Sequence, residues 1–149
     1  MPQQIKYFLL PIIVWVVSQT LKLIIRLTFR KEKCSWEHVR WIYEFGDGAP
    51  STHSAIVISS LYVLAYQRGV DAVFGFAFTA SLIFMYSLVE GRKRQEILES
   101  FLGKSIDPAI RGIVEDKKMF DISGHNYFEV VMGILTGIVM GYLLQMFLF

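Results

Sequence analysis

The sequence has little cysteine and little charge, and both shortages restrict what the chain can be. Its 149 residues include one cysteine, Cys34, so no disulfide can form within the chain. Charged residues make up only 19%, whereas 54% are hydrophobic, and the mean hydropathy is +0.45. This composition is too apolar for an ordinary soluble domain of this size. We therefore expect an integral membrane protein.

The charge that is present is nearly balanced. Lys and Arg number 15 and Asp and Glu 13, which gives a formal net charge of +2. A protein that binds nucleic acid usually carries a clear excess of basic residues, so we expect no nucleic-acid partner. Because a membrane span needs roughly 20 residues, the chain has room for only a small bundle.

Stretches with few charges predict four membrane-spanning helices, separated by two long charged segments. The charged segments contain aromatic and amphipathic patterns that are typical of the membrane interface. The predicted fold is an all-α integral membrane protein: one domain of four spans with about two amphipathic interfacial helices. The predicted spans are about 7–29, 50–68, 72–90 and 126–149, and the interfacial segments are 30–49 and 91–124.

Basic residues are concentrated in the two long segments, which places both segments on the cytoplasmic side. Arg30, Lys31 and Lys33 lie in the first of these segments, and Arg111 and Lys117 lie in the second. The sequence therefore predicts a multi-pass protein of the cell inner (plasma) membrane, with both termini outside the cytoplasm.

Polar and ionisable residues gather at the helix ends that this topology places at the cytoplasmic face. Such residues are costly at membrane depth and usually mark function. Turns that run into helices at Pro50 and at His125 would present backbone N–H groups, which favour a bound phosphate. The converging residues are Gln19, Lys22 and Arg26 from span one, Ser51, Thr52 and His53 from span two, Glu90 and Arg92 from span three, and His125 and Glu129 from span four.

The spacing of His125 and Glu129 suits a nucleophile and its orienting carboxylate. Residues four apart lie on one helix face, so the carboxylate could hold one imidazole nitrogen and leave the other to attack. Two simpler readings stay open. Lys22 and Arg26 could merely extend their charged ends to water from a helix end, and the histidine and glutamate could form a surface pair.

Several motifs resemble a known superfamily. Pro-Ser-Thr-His at 50–53 resembles the Pro-Ser-x-His motif of type 2 phosphatidic acid phosphatases and vanadium-dependent haloperoxidases, and Gly124-His125-x-x-x-Glu129 is similar to their His-x-x-x-acid motif. Gln19-x-x-Lys22 and the stretch from Met85 to Lys93 look more like the divergent bacterial branch. The matches run in order from residue 19 to residue 130, which is most of the chain.

The resemblance implies a phosphomonoesterase that needs neither metal nor cofactor. In this reading His125 attacks phosphorus, Glu129 orients it, and His53 protonates the leaving alkoxide. The sequence departs from the superfamily in having Met119, rather than arginine, six residues before His125. It also has Ser87 and Glu90 where the divergent branch has an acid and a glycine. The implied phosphate-binding residues are Lys22, Ser51, Thr52, Arg92 and Arg94, with Arg92, Arg94 or Lys118 supplying the missing charge.

The predicted function is hydrolysis of a terminal phosphate monoester on a membrane lipid, such as phosphatidylglycerophosphate, phosphatidate or a polyprenyl phosphate. Two alternatives remain. Asp47, His53, His125 and Glu129 could instead hold a metal ion that activates water, or the basic face could bind anionic lipids without catalysis. A ridge of small residues at Gly133, Gly137 and Gly141 predicts close helix packing, within the bundle or in a homodimer.

Overall fold

The computed structural model describes residues 3–29, 48–103 and 125–149, together with Trp36 and Arg40, and these residues form four helices and no strand. Most of both predicted interfacial segments therefore lies outside the described residues. The helices are α1 (Gln3–Phe29), α2 (Thr52–Arg68), α3 (Ala72–Gly103) and α4 (Tyr127–Phe147).

Three of these helices, α1, α3 and α4, are long and apolar enough to cross a membrane. The described residues thus confirm the prediction of a helical protein with several helices that can span a membrane. Helix α2 has 17 residues, and at about 1.5 Å per residue it is about 26 Å long, slightly less than a hydrocarbon core of about 30 Å. Its assignment as a fourth span stays a prediction.

Helix α3 continues past the predicted end of the third span. It runs without interruption from Ala72 to Gly103, so the amphipathic segment after residue 90 extends this helix instead of starting a new one. Two ion pairs with helical i,i+4 spacing support the continuation. Arg94 Nε lies 3.3 Å from Glu90 Oε1, and Arg92 Nε lies 3.0 Å from Glu96 Oε1.

The glycine ridge of α4 packs against α2. A Cβ at Gly133 would lie 2.5 Å from the carbonyl oxygen of Ser51, and one at Gly137 would lie 2.7 Å from that of Ala55. Glycine therefore lets the two backbones approach more closely than any other residue could, which is how helices associate in lipid. The ridge is occupied within the chain, so the homodimer remains a prediction that this surface does not support.

Helix α1 packs against both α2 and α4. Leu10 and Val14 of α1 pack with Ala55 and Val63 of α2 and with Leu144 of α4 in one buried apolar cluster. Side-chain hydrogen bonds fix the helix ends farthest from the histidines. There the Tyr7 hydroxyl donates to Gln67 Oε1, and Gln67 Nε2 donates to Gln145 Oε1 at 3.5 Å.

Candidate active site

A backbone hydrogen bond joins the start of α2 to the first turn of α4. Ser51 caps α2 by accepting a hydrogen bond from the backbone N–H of Ser54 at 3.3 Å. Asn126 caps α4 in a capping box: its Oδ1 accepts from the Glu129 N–H at 2.8 Å, and Glu129 Oε2 accepts from the Asn126 N–H at 3.2 Å. The Ser51 N–H then donates to the Glu129 carbonyl at 2.9 Å. Two positively polarised helix ends are thus held side by side.

This junction brings the two predicted catalytic histidines together. The ring centroids of His53 and His125 lie 5.4 Å apart, and the rings are nearly perpendicular at 89°. His125 is only 8% exposed, and its backbone N–H donates to the Leu88 carbonyl of α3 at 3.1 Å. His53 is exposed, and its ring lies 6.1 Å from that of Phe84. A buried imidazole and an exposed one are therefore in edge-to-face contact.

The relation between His125 and Glu129 differs from the one that the sequence predicts. Helix α4 begins at Tyr127 and its cap is Asn126, so His125 lies just outside the helix. The two side chains are therefore not placed on one face by helical spacing. The Glu129 carboxylate accepts a hydrogen bond from the backbone N–H of Asn126, which adjoins His125 in the chain.

Two cations of α1 are buried near this junction. Lys22 is 1% exposed and Arg26 is 8% exposed. A side chain that extends to water would keep its charged end accessible, so this burial argues against that simpler reading. Lys22 acts electrostatically on His53. The Arg26 guanidinium lies beside Gly48, with Nη2 at 3.5 Å from the position that a Cβ there would occupy.

Polar atoms at the start of α2 are also buried. Ser51 is fully buried and Thr52 is nearly so. Within the described part of the chain, Thr52 Oγ1 and, in α1, Gln19 Oε1 are buried without a hydrogen-bond partner. Buried polar atoms usually have hydrogen-bond partners because leaving them unpaired is costly. A ligand that offered hydrogen bonds to these two atoms would therefore bind more tightly.

The predicted phosphate-binding arginines of α3 both form ion pairs with glutamates of the same helix. Arg94 is 78% exposed at its side chain and pairs with Glu90, so it lies on the helix surface. Arg92 is one-third exposed and pairs with Glu96. Between them, Lys93 donates to the Tyr127 hydroxyl at 3.0 Å and its ammonium lies 5.1 Å from that ring's centroid.

Two cations, Lys93 and Arg26, are not among the predicted phosphate-binding residues, although Arg26 is among the polar residues that converge at this face. Lys93 of α3 donates a hydrogen bond to Tyr127, the first residue of α4, two residues after His125. In the run of three basic residues at 92–94, the sequence does not show which one faces another helix. Arg26 did have a signal, since it lies four residues after Lys22 and therefore on the same helix face.

The residues that the structure describes give no support to the metal-site alternative. Over 3–29, 48–103 and 125–149, no three side chains of His, Cys, Asp or Glu are grouped so that they could hold a metal ion. Asp47, one of the four proposed ligands, lies outside these ranges.

Comparison with known protein families identifies a relationship. The profile of a family described as the divergent PAP2 family matches residues 3–140, which include every predicted site residue. No curated protein matches the chain, and no solved structure does.

Proposed function

Because the chain belongs to the divergent PAP2 family, we propose that it is a membrane lipid phosphatase that hydrolyses a terminal phosphate monoester. The observation that carries the proposal is the pair of imidazoles at two joined helix N-termini, 5.4 Å apart between centroids. A nucleophile needs its target atom at about 3–3.5 Å, and a general acid needs the leaving oxygen at about 2.6–3.2 Å. Two imidazoles a few ångströms apart can meet both requirements at one phosphoryl group.

The reaction proceeds in two displacements. A ring nitrogen of His125 attacks phosphorus, the bond from phosphorus to the lipid oxygen breaks, and His53 gives its proton to the leaving alkoxide. His53 then takes a proton from water, the resulting hydroxide attacks phosphorus, and the phosphorus–nitrogen bond breaks to release inorganic phosphate.

The different burial of the two histidines supports this division of roles. His53 is exposed, so it can exchange protons with water between the two steps. His125 is buried and its backbone is held by Leu88, so its ring is kept in place for attack. Glu129 is a positioning residue, since its carboxylate fixes the backbone of Asn126, which adjoins the nucleophile.

The start of α2 and the buried lysine bind the phosphate oxygens. The Ser51 N–H is already donated to Glu129, so Ser51 contributes its hydroxyl, whereas Thr52 contributes its backbone N–H and its buried hydroxyl. Lys22 supplies positive charge next to His53. Arg92 and Arg94, which pair with carboxylates on the surface of α3, attract the anionic headgroup from the interface.

The hydrocarbon chain of the substrate lies against α2, between α1 and α3. No Cα atom in the described residues of α1 lies within 8 Å of one in α3, so in these residues the two helices do not close over the α2 surface between them. His53 is on this surface, and Val57, Ser60 and Leu64 follow it at helical spacing. In this arrangement α2 is the fourth span, and the phosphate site faces the cytoplasm from the inner membrane.

Phosphate release from a panel of lipids tests the proposal. The purified protein in detergent is given phosphatidylglycerophosphate, phosphatidate and a polyprenyl phosphate, with and without chelator. We expect hydrolysis of at least one substrate in chelator, and a loss of at least about 100-fold in His125→Ala and in His53→Ala. We expect Glu129→Ala to lower turnover strongly.

His38→Ala is the matched control, because this third histidine has no predicted role and should leave the rate unchanged. Near-normal rates in either catalytic variant would refute the mechanism. Loss of activity in chelator would favour the metal-dependent alternative, and the absence of release from every substrate would favour a lipid-binding protein.

A further inference from the structure

We propose that Lys93 of α3 and Tyr127 of α4 form a positioning pair that holds the nucleophile His125 in place. This inference rests on the proposed function. It adds two residues that act on the reaction through His125, without binding the phosphate themselves.

The first support is that His125 lies outside the helix that it precedes. Helix α4 begins at Tyr127 with Asn126 as its cap, so His125 is not among the residues that α4 holds by its own helical geometry. The backbone N–H of His125 donates instead to the Leu88 carbonyl of α3, at 3.1 Å. The position of His125 therefore depends on how α3 lies against the start of α4.

The second support is that α3 is attached to this segment at two points. Besides the bond between His125 and Leu88, Lys93 Nζ donates to the Tyr127 hydroxyl at 3.0 Å. Leu88 and Lys93 are five residues apart, or about 7.5 Å along the helix, and their partners are two residues apart in the chain. One hydrogen bond alone would let the two segments rotate about it. Two separated bonds restrict both their distance and their orientation.

The third support is that the same part of α3 contacts the other histidine. The Phe84 ring lies 6.1 Å from the ring of His53, and Phe84 is one turn before Leu88 on the same face of α3. Within the described residues, no Cα atom of α3 lies within 8 Å of one in α1. The attachments of α3 to the start of α4 therefore matter for its position, and a shift of α3 would change the surroundings of both imidazoles.

The fourth support is the direction that Lys93 takes within its run of basic residues. Arg92 and Arg94 pair with glutamates of α3 itself, whereas Lys93 contacts another helix. Its ammonium is 3.0 Å from the Tyr127 hydroxyl and 5.1 Å from the ring centroid, so the hydrogen bond is the closer contact. Both side chains are exposed, and exposed contacts contribute little to global stability. Losing this one should therefore displace His125 without unfolding the protein.

Turnover of the purified full-length protein, with the lipid phosphate that the wild type hydrolyses fastest, tests the pair. Tyr127→Phe removes only the hydroxyl, and Lys93→Met removes the charge. An error of about 1 Å in placing catalytic groups costs about 100-fold, and the remaining attachments limit the error here. We expect kcat to fall about 5- to 20-fold in each variant, with KM and the unfolding temperature nearly unchanged. Lys93→Arg can still donate to the hydroxyl and should recover part of the loss.

The double variant distinguishes a pair from two independent residues. If the two residues act together, Lys93→Met combined with Tyr127→Phe should lose no more activity than either change alone. If the two losses multiply, or if Lys93→Met raises KM and leaves kcat unchanged, Lys93 acts by itself on the headgroup and the inference is overturned.

Tyr142→Phe and Lys6→Met are the matched controls. Tyr142 is also on α4, about 22 Å along the helix from Tyr127, and Lys6 lies against the ring of Phe149 near the other end of the bundle. We expect wild-type kcat and KM in both.

Chemical modification of His125 gives a readout that does not depend on turnover. Diethyl pyrocarbonate acylates accessible imidazoles, and His125 is only 8% exposed, so it should react slowly in the wild type. We expect faster modification of His125 in Tyr127→Phe, measured by mass spectrometry, with little change at the exposed His53. An unchanged rate at His125 would overturn the inference even if kcat fell. Should Lys93→Met fail to fold, this measurement on Tyr127→Phe decides.

The two proposals fail separately. A wild-type protein that releases phosphate from no substrate refutes the proposed function. A wild-type protein that releases phosphate, with a Tyr127→Phe variant that is equally active, refutes only the positioning pair.

Discussion

The two sides of α2 differ in how closely their neighbouring helices approach. On one side α4 lies so close that glycine is required at Gly133, Gly137 and Gly141. On the other side α1 and α3 stay apart, so that no described Cα of one lies within 8 Å of the other. Within the described residues, α2 therefore has a closed side, which packs against the α4 glycines, and an open side, which lies between α1 and α3.

For the proposed function, this difference would let a small bundle hold the two histidines in position and still admit a lipid. The closed side carries the hydrogen bond from Ser51 to Glu129, which sets the distance between the first turns of α2 and α4. The open side exposes His53 and the apolar surface of α2 next to it. In the proposed function, one face of α2 thus fixes the positions of the histidines, and the other face gives the lipid access to them.

The largest predicted effect comes from disturbing the closed side. In Gly133→Ala the added Cβ would lie 2.5 Å from the Ser51 carbonyl and 2.8 Å from the Ser54 Cβ, so the helices must separate. We expect a loss of about 1–3 kcal/mol in stability, as for other overpacked sites. Turnover should fall by about 100-fold, because an error of about 1 Å in placing catalytic groups is costly. Thermal unfolding in detergent and phosphate release measure the two effects.

The control for this variant is Gly75→Ala in α3. A Cβ at Gly75 would meet nothing within 4 Å, and alanine is the better helix former by about 0.5–1 kcal/mol. We therefore expect this variant to be as stable as the wild type or slightly more stable. If Gly133→Ala behaved in the same way, the close packing of α2 and α4 would not be what positions the histidines.

A smaller effect is expected from obstructing the open side. Val57 follows His53 by one turn on the α2 face between α1 and α3. In Val57→Trp we expect KM for a long-chain lipid phosphate to rise about tenfold, with kcat nearly unchanged, because the variant removes binding energy and leaves the reacting groups in place. The KM for a soluble aryl phosphate should change little.

Val139→Trp provides the matched substitution on α4. Val139 is exposed and lies on a different face of α4 from the glycines that contact α2. We expect no change in KM for either substrate. An equal effect of both tryptophan variants, or an equal effect of Val57→Trp on the soluble substrate, would argue against a lipid path along α2.

The sequence predicts those features that depend on local pattern. Apolar runs located the helices, and the motifs around His53 and His125 identified residues that the structure brings together. The start of α4 could also have been predicted, because Asn126 and Glu129 have the spacing of a capping box. Reading that signal would have placed His125 before the helix and given Glu129 its bond to the Asn126 backbone.

Other features depend on contacts between distant parts of the chain. The spacing of Lys22 and Arg26 places them on one helix face, but it does not show that other segments bury Arg26 to 8% exposure, whereas the Arg94 side chain stays 78% exposed. The continuation of α3 past Gly91 was also missed, because a single glycine weakens a helix without ending it. One ion pair spans that residue (Glu90–Arg94) and one follows it (Arg92–Glu96). Both favour continuation, but each is too weak to predict it alone.

The smallest effect is expected at the turn where α2 joins α3. The backbone N–H of Phe74 donates to Asp71 Oδ1 at 2.8 Å, and this bond, with a contribution from Arg68, holds the pKa of the Asp71 carboxyl below its ordinary value. A lowered folded-state pKa means that the ionised carboxyl stabilises the turn above the ordinary value of 3.8. This stabilisation is lost as the pH falls through the lower folded-state pKa.

In Asp71→Ala we expect faster hydrogen exchange at the first turn of α3, because that turn has lost its cap and little packing replaces it. Asp71→Asn should keep the cap and lose its pH dependence. Exchange along the glycine face of α4 and the rate of phosphate release should stay at wild-type values in both variants. A slower reaction, or faster exchange at Gly133, would mean that the open side supports the closed one and that the two faces of α2 are not independent.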